Sequence, residues 1–232
     1  MIYHILAILW KQLKDTIKNK SILIQFVMFP CLTLIMENTI DIKDMPEHFF
    51  ANLFAIMYVG MAPLISIATI ISEEKEKNTL RVLQLSNVKS IEYLLGNAIY
   101  IIWGCMIGSL VIGLAGGYMG NHLFNFMIIM VVGHIISMLV GATIGIFSKN
   151  QMTATSVTVP VMMIFSFLPM LSMFNKTIKP ISKYIFSEQL YLLLNDVSKL
   201  NVSIETGTIL GINFILILVI FIMNYKKVFS RI

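Results

Sequence analysis

Long apolar stretches alternate with short polar ones along the whole chain. Six of these stretches approach or exceed the ~20 apolar residues that a helix needs to cross a bilayer. They lie at about 21–36, 49–71, 93–114, 123–147, 153–174 and 208–224. Between Glu92 and Lys149 no residue carries a formal charge, so two crossings joined by the turn-rich run 116–121 fit there. The pattern predicts an all-α polytopic membrane protein with six transmembrane helices.

The residues before the first crossing have a different period. Six apolar residues share one helical face at spacings of three and four, namely Ile2, Ile5, Leu6, Leu9, Leu13 and Ile17. Charged side chains lie mostly opposite, and Trp10 suits a membrane interface. We therefore expect residues 1–18 to form an amphipathic interfacial helix, with a continuation of the first crossing as the alternative. The lysines follow the apolar residues, which is not the order of a cleavable signal peptide.

Composition supports a membrane protein. Apolar residues make up 57% of the chain and charged residues 12%, against ~25% charged in a typical soluble domain. The net charge of +5 comes from basic residues that flank apolar stretches, where they set topology and contact lipid headgroups. This argues against nucleic-acid binding. Cys31 and Cys105 lie in predicted crossings without metal-ligand spacing, so we interpret them as packing residues.

The distribution of Lys and Arg predicts the orientation. Six crossings place both termini on one side, and that side carries twelve basic residues against five on the other. The positive-inside rule then predicts a cell-membrane protein with both termini in the cytoplasm. Four of the five basic residues on the other, outer side lie in the segment 175–207. Its apolar run 191–194 indicates short helices that fold back towards the membrane. We treat residues 1–232 as a single transmembrane domain.

The segment 72–92 is the longest predicted cytoplasmic loop, and its pattern is helical. Glu73 and Lys77 are four residues apart with opposite charge, and Leu80 and Leu83 form a short apolar ridge, with Val82 as a further candidate. A charged helix with an apolar ridge, held between two crossings, suits a docking surface for a cytoplasmic partner. A solvated connector fits the pattern equally well.

Three runs in this region carry a family resemblance: EEKEKNTL at 73–80, LQLSNV at 83–88 and EYLLG at 92–96. They resemble the permease family of type-2 ATP-binding-cassette (ABC) exporters. The order of elements agrees along the whole chain: surface helix, six crossings, a long outer segment before the last crossing, and a basic tail. Asn78 stands where the family most often has glycine, but Asn also tolerates left-handed backbone angles. Asn97 stands where members of that family commonly have a basic residue.

The resemblance implies a coupling helix that docks into a groove of a separate nucleotide-binding subunit. Two permease subunits, either two copies or this chain with a homologous permease, would work with two ATPase subunits that hold ATP and Mg²⁺. The implied coupling positions are Glu73, Glu74, Glu76, Thr79, Leu80 and Leu83. The short loop 148–151 would make a minor contact.

No catalytic pattern is evident. The chain has no phosphate-binding loop ending in Gly-Lys-Ser/Thr, and its four histidines are scattered without metal-ligand spacing. No Ser lies in a Gly-x-Ser-x-Gly elbow. We therefore expect a chain that is not an enzyme and has no cofactor or metal of its own.

Small residues recur every four positions in the fourth crossing: Gly133, Ser137, Gly141 and Gly145. A smooth face lets helices approach closely, where dispersion contacts stabilise packing within a bilayer. We expect this face to pack within the subunit.

The fifth crossing contains Pro160 and Pro169, each of which removes a backbone donor and favours a kink. Adaptable methionines and aromatic rings surround them. As a candidate wall of a translocation path we mark Met162, Met163, Phe165, Phe167 and Met170. Ordinary lipid-facing packing is the alternative.

The sequence thus favours a permease that exports a hydrophobic or amphipathic substrate, such as a toxin or antimicrobial peptide, a drug or a lipid. An ion-coupled secondary transporter is one alternative, with His134 its only clear ionisable group at membrane depth. A membrane immunity protein without transport activity is another. The Lys-, Ile- and Asn-rich composition is typical of low-GC bacteria.

Overall fold

A computed structural model of the chain describes residues 2–18, 20–40, 46–197 and 202–229. Within these ranges the regular structure is entirely helical. The helices are α1 (Ile2–Lys18), α2 (Lys20–Thr39), α3 (Phe49–Glu76), α4 (Thr79–Leu85), α5 (Ser90–Ala115), α6 (Gly120–Phe147), α7 (Gln151–Phe174), α8 (Lys179–Ser182), α9 (Phe186–Asn195) and α10 (Ile204–Phe229). Six of them, α2, α3, α5, α6, α7 and α10, are long and apolar enough to cross a membrane. The predicted all-α fold with six crossings is confirmed.

Helix α3 lies at the centre of the bundle. It packs most extensively on α6 and α7, and also on α2, α5 and α9. Its apolar residues surround the whole helix, as expected for a helix with no solvent- or lipid-facing side. Tyr58, Ile56 and Leu64 on α3 are among the largest fully buried side chains of the described chain.

The small-residue face of α6 lies against α3. A Cβ atom on Gly141 would overlap the backbone carbonyl of Leu64, and one on Gly145 would lie 2.9 Å from Cβ of Ile71. Ser137, one turn before Gly141, is fully buried. The absence of side chains at Gly141 and Gly145 therefore allows α6 and α3 to pack this closely.

The amphipathic helix predicted over residues 1–18 is present as α1, which packs on the first turns of α5. The contact is closest at Gly96, where a Cβ atom would lie 2.8 Å from Cγ2 of Ile8. Leu6 and Trp10 are exposed on the other side of α1. One side of α1 thus packs on the bundle, and the other is apolar and open to the membrane surface.

The end of the bundle opposite to α1 contains α9, and we call it the α9 end. There α9 packs against α3, α6, α7 and α10. Phe186, Leu190 and Leu194 of α9 are almost fully buried. Asn52 of α3 holds the end of α9, since its Nδ2 donates to the carbonyl of Leu194 at 3.3 Å. The segment 175–207 therefore contains a packed helix rather than only a free loop.

Several helix ends differ from the predicted crossings by a few residues. Helix α3 continues to Glu76, five residues past the predicted end at residue 71, and α5 and α10 begin at Ser90 and Ile204, before the predicted 93 and 208. The charged run 73–76 is therefore the last turn of α3 and not part of a loop. Ser72 and Glu74 are buried by neighbouring helices, so apolarity alone does not mark where this helix ends.

Candidate coupling site at the α4 end

The short helix α4 lies at the end of the bundle that also carries α1 and the connection from α6 to α7; we call this the α4 end. Asn78 and Asn87 flank α4 with φ angles of 55° and 60°. Asn reaches this left-handed region more easily than other non-glycine residues, because its short polar side chain bonds locally. Asn78 thus supplies the backbone angle that glycine gives at this place in the family pattern, and Asn87 turns the chain after the end of α4 at Leu85.

Helix α4 presents a different apolar edge from the one predicted. Leu80 is only 6% exposed, and Leu83 packs partly buried against the core. Val82 and Leu85 point outward instead, with 59% and 81% of their surface exposed. Of the predicted ridge, Val82 thus lies on the outer surface, whereas Leu80 and Leu83 close the core at this end.

Three of the four charged residues 73–76 connect α3 to neighbouring segments, and the fourth, Glu73, pairs with Lys77. Glu73 and Lys77 form the predicted surface pair at 2.6 Å, and this hydrogen bond raises the pKa of Lys77. Glu76 accepts the backbone N–H of Gln151 at 2.9 Å, at the start of α7. Lys75 donates to the carbonyls of Ile146, at 2.6 Å, and Ser148 at the end of α6.

The carboxylate of Glu74 points into the bundle rather than towards the outer surface. Its carboxylate accepts hydrogen bonds from Lys11 and, at 3.1 Å, from Nε2 of Gln12, both on α1. Glu74 is 6% exposed, so the expectation that its side chain contacts an ATPase directly does not fit the structure. Its position is instead a buried anchor for α1.

A second carboxylate anchors the other end of α1. Glu92 accepts from Nδ1 of His4 at 2.8 Å and from the backbone N–H of Lys89 at 3.0 Å, which also caps the start of α5. Sequence reasoning missed Lys75, His4 and Gln12 as members of this site. The available signal was Gln12, a polar residue close to the apolar face of an amphipathic helix.

These contacts join α1, α3, α5, α6 and α7 around α4. Thr79, another predicted coupling position, is the first residue of α4 and is partly exposed. A charge-assisted hydrogen bond is stronger than a neutral one, so this end is tied by several polar contacts rather than by apolar packing alone. Helix α4 itself packs mainly on α3, so α3 connects α4 to the helices that these contacts hold together.

The five marked residues of α7 do not share one face. Phe165 packs inward, with its ring 4.8 Å from that of Phe186, and Met162 and Met170 are also partly buried against the core. Met163 and Phe167 point outward and are exposed. The structure thus divides the predicted wall into an inner and an outer set.

His134 is fully buried between helices, and its Nε2 lies 2.8 Å from Oγ of Ser109. It is not exposed to a path for ions in this structure. Among the described residues there is no group of three side chains suited to hold a metal ion.

Comparison with known proteins agrees with this arrangement. A family model described as ABC-2 family transporter protein matches residues 3–226, nearly the whole chain. A search of curated proteins finds no match. The match includes α1, all six crossings and the α4 end, so it covers the site as well as the fold. The chain therefore belongs to the ABC-2 family of transporter proteins, as a multi-pass membrane subunit.

Proposed function

We propose that this chain is the permease subunit of an ATP-driven exporter and that α4 is its coupling helix. Family membership implies an ABC ATPase as partner. The observation that carries the proposal is the exposed pair Val82 and Leu85 on a short helix that packs on α3, the central helix of the bundle. An apolar edge held rigidly outside the crossings suits a groove on a partner protein.

The outer surface of α4 also has charges that can orient a partner. Arg81 is exposed beside Val82, and Glu76 and Lys77 are exposed immediately before α4. Burying a large apolar side chain contributes about 1.5–3 kcal/mol, whereas exposed charge pairs contribute less than ~1 kcal/mol. We therefore assign most of the docking energy to Val82 and Leu85, with Glu73, Glu76, Thr79 and Arg81 around them.

The proposed orientation places the α4 end in the cytoplasm, together with both termini. It rests on the excess of basic residues at this end, twelve against five. A single cysteine in place of Lys227 tests the orientation with a membrane-impermeant thiol reagent. We expect no labelling in intact cells and full labelling after permeabilisation, whereas labelling in intact cells contradicts the orientation.

Substrate export is proposed to take place between two permease subunits. The outward face of α7 carries Met163 and Phe167, which are exposed in the single chain. Methionine adapts to irregular apolar ligands, and this face becomes a wall between subunits if two copies pair through it. Met162, Phe165 and Met170 then support the wall from behind. Such a path suits a hydrophobic or amphipathic peptide, drug or lipid.

Two other functions remain as alternatives to test. An ion-coupled transporter requires accessible ionisable groups at membrane depth, and the buried position of His134 does not favour it. A membrane immunity protein requires no ATPase partner. Co-purification of the tagged chain with a defined ABC ATPase subunit, followed by measurement of its ATPase rate, separates the exporter from both alternatives.

A further inference from the structure

A long apolar groove lies on the outer surface of the bundle between α1, α2 and α5. It has a volume of about 460 Å³, within the ~300–1,000 Å³ typical of small-molecule sites. Its walls are Leu23, Val27 and Leu34 of α2 and Trp103, Ile107 and Val111 of α5. All but Val111 are more than a third exposed in the chain, so the groove is open on the membrane side.

The groove has the length of one bilayer leaflet. Its lining residues extend from 23 to 34 on α2 and from 100 to 111 on α5. At ~1.5 Å per residue, each of these two rows of lining residues is roughly 17 Å long. This is close to half of the ~30 Å hydrocarbon core. Both helices follow segments at the α4 end, so the groove belongs to the leaflet on that side.

Small residues create the depth of the groove. Gly104 lies on its floor, where a Cβ atom would be 3.3 Å from the ring of Phe26. A second helix does not fit there, because a cylinder about 10 Å across and ~17 Å long occupies roughly 1,300 Å³. A narrow, flexible apolar chain is the occupant that matches both the volume and the length.

The polar groups of the groove are confined to one end. The hydroxyls of Thr16 and Tyr100 meet at the mouth near α1 and hydrogen-bond to each other. Next to Leu13 in α1, which lines the groove, the ammonium group of Lys14 lies 5.1 Å from the ring centre of Trp10 and is exposed. Lys11 is already bound to Glu74, and Asp15 is the acidic neighbour on this surface. Among the described side chains of α1, Lys14 is thus a cation that is available to a headgroup.

We propose that this groove binds one acyl chain of an anionic phospholipid from the leaflet at the α4 end, with the lipid phosphate beside Lys14. The apolar lining of the groove is the reason for proposing an acyl chain, and Lys14 is the reason for proposing an anionic headgroup. A bound lipid would fill the space between α1, α2 and α5. It would thereby support the attachment of α1, the helix that Glu74 and Glu92 anchor.

The two tryptophans of the chain allow a direct test. Trp103 lines the groove and Trp10 lies on α1, so the Trp10→Phe variant keeps an aromatic ring beside Lys14 and leaves Trp103 as the single fluorophore. The full chain is reconstituted in phosphatidylcholine vesicles. A small fraction of either phosphatidylglycerol or phosphatidylcholine with brominated acyl chains is added, because bromine quenches tryptophan at short range.

We expect brominated phosphatidylglycerol to quench Trp103 with a preference of about fivefold over brominated phosphatidylcholine, the value for one basic residue at an anionic surface. Val27→Phe and Ile107→Phe, each in the Trp10→Phe background, fill the groove from positions that already face the membrane, and both should remove this preference. Gly211→Phe in the same background is the matched control, since nothing lies within 4 Å of its built Cβ on α10. Lys14→Glu should lower the preference while quenching by either lipid persists.

Equal quenching by the two brominated lipids overturns the proposal. So does a preference that survives both groove-filling variants and is lost only in Lys14→Glu, because that result means surface attraction without an occupied groove. Weak quenching of Trp103 by both lipids means that a substrate or a second subunit covers the groove, which also contradicts it.

Discussion

Replacing Gly141 by alanine tests the packing of α6 on α3 at its tightest point. The added Cβ atom would overlap the backbone carbonyl oxygen of Leu64 and would lie 2.6 Å from Cγ2 of Ile67. A side chain can rotate away, but the carbonyl is part of the α3 backbone at the centre of the bundle. The helices must therefore move apart, and the dispersion contacts along their whole interface become weaker.

The expected cost follows from the usual range for overpacking, about 1–3 kcal/mol for an inserted methylene. We expect Gly141→Ala near the upper end of that range, and Gly141→Leu to prevent normal assembly. Gly133→Ala should cost less, because the nearest atoms there are the ends of the Leu190 and Val59 side chains, at 2.7 Å. Gly211→Ala, in open space on α10, should be almost neutral.

Unfolding in mixed detergent micelles measures these differences. Helix content is followed against the fraction of denaturing detergent for the parent and the three alanine variants. The reasoning predicts the order of destabilisation Gly141, then Gly133, then Gly211. If Gly141→Ala is as stable as Gly211→Ala, the contact between α6 and α3 is not as close as described. Leu139→Ile in α6 is a second mild control.

Three further predictions concern polar contacts. Lys75→Met removes the donor to the α6 carbonyls and should cost about 1.5–3 kcal/mol in the same detergent unfolding assay, whereas an unchanged midpoint excludes this role. Glu74→Gln and Lys11→Met should be non-additive in a double-mutant cycle of stability, and additive costs contradict a direct pair. Burial raises the pKa of Glu188 above its ordinary value, partly offset by Ser172, Ser182 and Lys179. Its folded-state pKa therefore exceeds the unfolded value, so thermal stability should fall as pH rises through the raised pKa. Glu188→Gln should remove that fall, and identical pH profiles contradict the assignment.

The number of crossings was predictable because each membrane helix needs a long apolar run that is visible in the local sequence. The left-handed turn at Asn78 was predictable for a similar reason, since one residue type decides it. The direction in which Glu74 points was not, because its partners Lys11 and Gln12 are 63 and 62 positions away. No local pattern contains that contact.

The outer edge of α4 was also not predictable. A helix of seven residues has fewer than two full turns, so its apolar residues do not define one face clearly. Leu80 and Leu83 turn inward because the core needs closure there, and Leu85 is left outside. In α7, Met163 and Phe165 lie on different sides because residues two positions apart in a helix are about 200° apart, so five closely spaced residues could not form one wall.

The central claim is that α4 couples this permease to an ABC ATPase through Val82 and Leu85. The direct measurement compares Val82→Asp and Leu85→Asp with the parent in reconstituted vesicles, for both ATPase binding and ATPase rate. Met119→Asp is the matched control, because Met119 is equally exposed but lies at the α9 end.

Burying a large apolar side chain is worth about 1.5–3 kcal/mol, and ~1.4 kcal/mol corresponds to a tenfold change in affinity. We therefore expect both α4 variants to insert normally, to bind the ATPase at least roughly tenfold more weakly and to lose stimulation of its activity, while Met119→Asp behaves as the parent. If Val82→Asp and Leu85→Asp bind and stimulate the ATPase like the parent, α4 is not the coupling element.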